Sequence, residues 1–179
     1  MQDSLPILDW TRANYQKESR KFVTFDDFDP LPPMIHEKIR SFIKTEVPCS
    51  DCKSPQCSCS GAHRAEVCFL PGERSWIETH LGRQFHGSNP NSFPVSGDCT
   101  QLSGYSCTAG YYKPVDCISF PFQPVVVAGE LVPTFAKNCT FHPFDLSPVW
   151  ILERWKMWQF IFQIIPEWVT LYAEVPNHE

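Results

Sequence analysis

Glycine is scarce in this chain, with 8 in 179 residues, which excludes flexible glycine linkers and collagen-like repeats. Long basic runs are missing too: no stretch of Lys and Arg exceeds two, and the net charge is −5. A general nucleic-acid binder needs a basic face to displace counterions from phosphates, so nucleic acid is not the favoured partner. The first residues show no basic start, apolar centre and small-residue cleavage site, so secretion is not expected. The longest apolar-rich stretch, Val149 to Ile165, is interrupted by Glu153, Arg154 and Lys156 and does not read as a membrane span. The expected location is therefore cytoplasmic, with nuclear entry left open. Neither H-E-x-x-H nor H-x-E occurs, which removes the ligand patterns of metalloproteases and zinc deaminases.

What is present is aromatic, proline-rich and cysteine-rich. Hydrophobic residues make up 42%, with 14 Phe, 6 Trp and 5 Tyr, enough for a packed core in a chain that buries about 70% of its unfolded surface. The 17 prolines restrict long helices and central strands to a few places. The expected fold is α+β, irregular and loop-rich: a small zinc-stabilised single domain with two or three helices and short strands. Residues 1–30, acidic around Trp10, Phe22, Phe25 and Phe28, read as an extended N-terminal arm, and residues 31–179 as the globular domain.

Four elements are legible. Pro32 and Pro33 open a helix with Ile35, Ile39, Phe42 and Ile43 on one face and Glu37, Lys38, Arg40 and Lys44 on the other, stopped by Pro48. A short helix is expected over 73–84, and the β-branched run from Pro124 to Phe135 predicts strands around a turn at Gly129. Ser147 and Pro148 cap and open a last helix that Pro166 stops, with Glu153, Lys156, Gln159 and Gln163 as its polar stripe.

The densest chemical signal is the cysteine cluster. Cys49, Cys52, Cys57, Cys59, His63 and Cys68 place six candidate donors within 20 residues, including a C-x2-C and a C-x-C pair. Tetrahedral zinc takes four thiolate or imidazole donors, and the turn-forming Ser50, Asp51, Pro55 and Gly61 let a short backbone wrap one ion. The preferred donors are Cys49, Cys52, Cys59 and His63. A reducing compartment disfavours disulfides, and nine cysteines cannot all pair. A second site would draw on Cys99, Cys117, Cys139 and His142, the last two forming a C-x2-H pair, so one zinc ion or two are expected.

Catalytic patterns are weaker. Gly97-Asp98-Cys99, with His80 or His86 upstream, resembles the nucleophile approach of chymotrypsin-like viral cysteine proteases, but Thr100 stands where those enzymes carry glycine. Gly104-Tyr105-Ser106-Cys107-Thr108 lacks the closing glycine of a nucleophile elbow. Cys117 with His142 is a papain-like pair without the aromatic that usually follows the cysteine. Clustered metal ligands, many aromatics and prolines and small size together resemble virus-encoded accessory proteins. That resemblance implies zinc used to stabilise an irregular surface that binds or antagonises a host factor. The reading is a non-enzymatic, zinc-stabilised module whose partner is another protein. A cysteine protease of viral leader type is the alternative, and a zinc-dependent RNA-binding protein, stacking bases on aromatics, the second.

Overall fold

A computed structural model describes residues 24–45, 66–82, 84–85, 88–94, 101–102, 106–107, 110–135 and 146–174. The elements run α1 (Pro33–Arg40), β1 (Glu66–Cys68), α2 (Glu73–Leu81), β2 (Ser92–Pro94), β3 (Gln101–Leu102), β4 (Ser106–Cys107), α3 (Val115–Ser119), β5 (Phe122–Val127), β6 (Glu130–Phe135), α4 (Pro148–Ile164) and α5 (Pro166–Ala173). Short 3₁₀ turns lie at Phe25–Asp27 and Gly110–Tyr112. Among the described residues the strands form three separate antiparallel pairs, β1–β2, β3–β4 and β5–β6. The chain is thus a small domain of mixed helix and strand, with five α-helices among the described residues rather than two or three.

Local chemistry explains where each element departs from its expected bounds. α1 begins at Pro33 and buries Ile35 and Ile39, but it ends at Arg40. The Ser41 hydroxyl donates to the Lys38 carbonyl at 2.6 Å, and the Phe42 and Ile43 amides reach back only three residues, a tightened 3₁₀ exit. Phe42 and Ile43 nevertheless pack on the core. α2 stops at Leu81 because Gly82 turns left-handed, φ 64°, and donates to the Glu78 carbonyl. At its other end Gly72, φ 75°, passes so close to the chain that a Cβ would meet the Pro30 Cβ at 2.8 Å.

The β5–β6 hairpin turns at Ala128 and Gly129, both with positive φ, the geometry whose twist suits a two-residue hairpin. Pro124 and Pro133 face one another across the ladder. Counting from the turn, that pair falls where the backbone amides would point outward, so each free edge lacks a donor and resists addition of another strand.

α4 is capped as expected: Ser147 Oγ accepts from the Trp150 amide at 3.1 Å. Pro166 does more than stop it. Ile165 is pushed out of the helical region, φ −141°, and Pro166 becomes the first residue of α5. That additional helix stacks Tyr172 between Trp158 and Trp168, at ring separations of 5.0 and 5.3 Å. The main cluster gathers α1, α4, α5 and β5, with Phe28 buried in it and Phe25 packed on Trp168 at 5.7 Å. Residues 24–30 therefore lie against the domain; Trp10 and Phe22 are outside the described residues. A satellite cluster of Val67, Phe69, Trp76 and Ile77 sits on the alternate face of β1.

Candidate functional site

The polar chemistry of the described chain converges on α3, a helix of five residues. Arg40 and Glu73 form a completely buried ion pair at 2.7 Å, with side-chain exposures of 1% and 0%. Glu73 Oε1 also accepts the Val115 amide at the start of α3, and Oε2 accepts the Leu70 amide. Arg40 donates to the Lys113 carbonyl at 2.9 Å and lays its guanidinium over the Trp76 ring at 4.4 Å. Burial pushes the Glu73 carboxyl up, and Arg40 with the two amides opposes that push.

Two further ties reach the ends of the cysteine-rich segment, one from α3 and one from α4. Buried Asp116 accepts the Cys68 amide at 2.8 Å through one oxygen and the Tyr172 hydroxyl at 2.5 Å through the other. Arg154, also fully buried, donates to the Ile118 carbonyl, to Thr45 Oγ1 at 2.8 Å and to the Thr45 carbonyl at 2.9 Å. Glu153 accepts from the Lys44 and Thr45 amides and the Thr45 hydroxyl, and these hydrogen bonds hold its carboxyl below the usual carboxylate range against the desolvation that raises it. Thr45 and Cys68 flank residues 46–65. The Cys68 end of that segment is thus tied to α3 through Asp116 and the Thr45 end to α4 through Glu153 and Arg154, with Arg154 in turn reaching α3 at the Ile118 carbonyl. Hydrogen bonds to charged groups such as these are the stronger kind.

Of the sequence-predicted donors, Cys49, Cys52, Cys57, Cys59, His63, Cys99, Cys139 and His142 lie outside the described residues. Cys107 is placed in β4. Cys68 is buried in the main cluster, and half-buried Cys117, on α3, packs beside the satellite cluster. Among the described residues no three His, Cys, Asp or Glu side chains converge on a metal position. No helix among them is long and apolar enough to cross a membrane.

Sequence reasoning missed the buried charges. It placed Arg40 on the polar face of α1, yet Arg40 is 1% exposed; it treated Arg154 as an interruption of an apolar stretch, yet Arg154 is a scaffold pin. The signal was available only as adjacency. Arg40 follows Ile39 at the edge of the apolar stripe, and Glu73 opens a helix straight after the Pro71-Gly72 turn.

His36 is, with Arg40, one of two buried polar residues of α1, fully enclosed, with neither ring nitrogen hydrogen-bonded. Its ring lies 5.6 Å from that of Trp76. Burial first, and Arg40 second, push its pKa down to about 3, while the carbonyls of Leu31 and Pro71, short of good hydrogen-bond geometry, pull weakly upward. The folded state therefore keeps His36 neutral where the unfolded chain protonates it. Its contribution to stability is complete above pH 6.5 and is lost progressively as pH falls towards about 3. Glu73, raised by burial, works in the opposite sense, so the test is a difference between two proteins that both keep Glu73. Relative to His36→Phe, the wild type should lose about 2 kcal/mol between pH 7 and pH 5, read from urea denaturation at each pH. A difference that stays flat over that range refutes the buried neutral imidazole.

A cleft of about 510 Å³ opens between residues 25–30, the first turns of α2 and residues 84–85 and 88–91. Phe25, Phe28 and Phe85 supply apolar wall, and a hydrogen bond from Asn91 to Asp26 joins two of its sides. Arg74, at its floor, donates to Glu78 and to the carbonyls of Phe85 and Asn89. Comparison of the chain with family models, with curated proteins and with solved structures finds no match.

Proposed function

We propose that this chain is a non-enzymatic protein-interaction module of the cytoplasm in which zinc shapes the segment between Cys49 and Cys68. Cys49, Cys52, Cys59 and His63 would hold the ion, with Cys57 and Cys68 as further donors. Cys99, Cys117, Cys139 and His142 would supply a second site. The single observation that supports the reading is that both flanks of residues 46–65 are anchored, Thr45 to α4 through Arg154 and Glu153, and Cys68 to α3 through Asp116. Fixing both ends of a loop removes much of the entropy that closing it around an ion would otherwise cost. A metal-braced loop on rigid ends presents one shape to a partner, which is what an irregular docking surface requires. The buried charges act as fasteners for backbone, consistent with a scaffold whose work is presentation. In the style of viral accessory proteins, the partner would be a cellular protein whose action the module recruits or blocks.

The test is capture of a defined partner by the full chain, compared between wild type and Cys52→Ser at equal concentration. Wild type should retain the partner unmodified, and Cys52→Ser should lose it together with one zinc ion per chain. Cleavage of the captured protein that disappears in Cys99→Ala or Cys117→Ala would instead establish the protease reading.

A further inference from the structure

Four aromatic rings meet at the surface beside the buried ion pair, and none takes part in the fastening of residues 46–65. Trp76 forms the base at 7% exposure. His80 lies 4.4 Å from it, Tyr112 stacks on His80 at 4.9 Å with planes 26° apart, and Tyr111 meets Tyr112 edge-on at 5.2 Å. His80 is exposed, Tyr112 half-buried and Tyr111 57% exposed.

The shelf is held rigid from behind. Arg40 donates to the carbonyl of Lys113, next to Tyr112, and packs its guanidinium on Trp76. Glu73 accepts the Val115 amide two residues further on. The His80 ring is fixed as well: Nδ1 lies 2.7 Å from the Trp76 carbonyl, which only accepts, so Nδ1 carries the hydrogen of that bond. Neither tyrosine hydroxyl has a partner among the described residues. Rigid aromatic faces carrying unspent polar tips form contacts at little entropic cost.

We infer that the Trp76–His80–Tyr112–Tyr111 shelf is a docking site for a proline-rich segment of a partner protein in the polyproline II conformation. This deepens the interaction-module reading and rests on it. Polyproline II has no internal hydrogen bonds, so its carbonyls remain available to phenolic donors, while its pyrrolidine rings pack on aromatic faces. Charge selects this occupant over a single-stranded nucleic acid. Bases would stack equally well, but a phosphate chain needs several unspent cations. Here Arg40 is committed to Glu73, which among the described residues leaves Lys113 as the one cation next to the rings in a chain of net charge −5.

Fluorescence anisotropy of the full chain with a labelled ten-residue polyproline peptide tests this. A glycine–serine peptide of equal length and a uridine oligonucleotide serve as comparisons. Polyproline should bind at least about tenfold more tightly than glycine–serine, a difference of about 1.4 kcal/mol. Tyr111→Ala and Tyr112→Ala should each weaken it by about tenfold, and Tyr112→Phe by a smaller factor of about threefold, reporting the lost hydroxyl. Tyr111 is exposed enough that its truncation leaves folding intact, which unchanged melting verifies. Polyproline binding no tighter than glycine–serine, or binding indifferent to both alanine variants, overturns the inference, as does oligonucleotide binding that those variants abolish. Zinc content and peptide integrity are measured on the same samples. Loss of zinc with peptide binding intact, or peptide cleavage, counts against the interaction-module reading, whereas an intact zinc protein that ignores polyproline counts against the shelf alone.

Discussion

Glu73→Ala should destabilise the protein by about 3–5 kcal/mol, the usual cost of leaving one half of a buried ion pair unpaired. The side chain is 0% exposed and accepts four things at once from the scaffold's point of view: charge from Arg40, and hydrogen bonds from Arg40, Leu70 and Val115. Removing it strands a guanidinium against Trp76 and two buried amides, each of which carries its own desolvation cost. For a chain of this length 1 kcal/mol corresponds to roughly 2–4 °C, so melting should fall by about 10 °C. Replacing both partners, Glu73→Met with Arg40→Met, should recover part of the loss, because an apolar pair of similar size has no charge to desolvate, while the Leu70 and Val115 amides stay unpaired. A double variant no better than Glu73→Ala, or a single variant within about 1 kcal/mol of wild type, would show that the pair does not fasten α3.

The elements that sequence made legible are those governed by local rules. Ser147-Pro148 and the turn at Gly129 were legible because a cap and a left-handed turn are properties of adjacent residues. The start of α1 at Pro33 followed for the same reason. Arg40, Glu73, Asp116 and Arg154 were not legible, since each is buried by partners 33 to 109 residues away: Glu73 for Arg40, Cys68 and Tyr172 for Asp116, Thr45 for Arg154. Amphipathic periodicity assigns a charged residue to water, and only tertiary pairing reverses that assignment. α5 was missed because Pro166 was read as an end, although proline suits a first helical position as well as it suits a stop. On α4 the exposed stripe runs through Leu152, Lys156, Gln159 and Gln163, while Glu153 turns towards Thr45. A polar residue one position off the stripe thus signalled a tertiary tie. The aromatic shelf was hidden in the same way, with Trp76 and His80 on α2 and the tyrosines more than thirty residues later.

The second large effect concerns the metal. Structural zinc sites contribute on the order of 10 kcal/mol of apparent binding free energy, since the unfolded chain has no preformed site. Whole-domain stabilities are about 5–15 kcal/mol, so losing the ion should be decisive for the segment it closes and severe for the protein. Arg154 and Asp116 would still hold Thr45 and Cys68, but the chain between them would lose its cross-link. Cys52→Ser and His63→Ala should therefore each give poorly soluble, readily degraded protein, whereas Cys99→Ala should be much milder.

The direct measurement is elemental analysis of the purified full chain alongside its melting with and without a chelator. One or two zinc ions per chain, no iron, a large fall in melting temperature on chelation, and one ion fewer in Cys52→Ser and in His63→Ala are the predicted results. Metal-free protein that melts as the untreated protein does, or both variants folding normally with full zinc, would contradict the account.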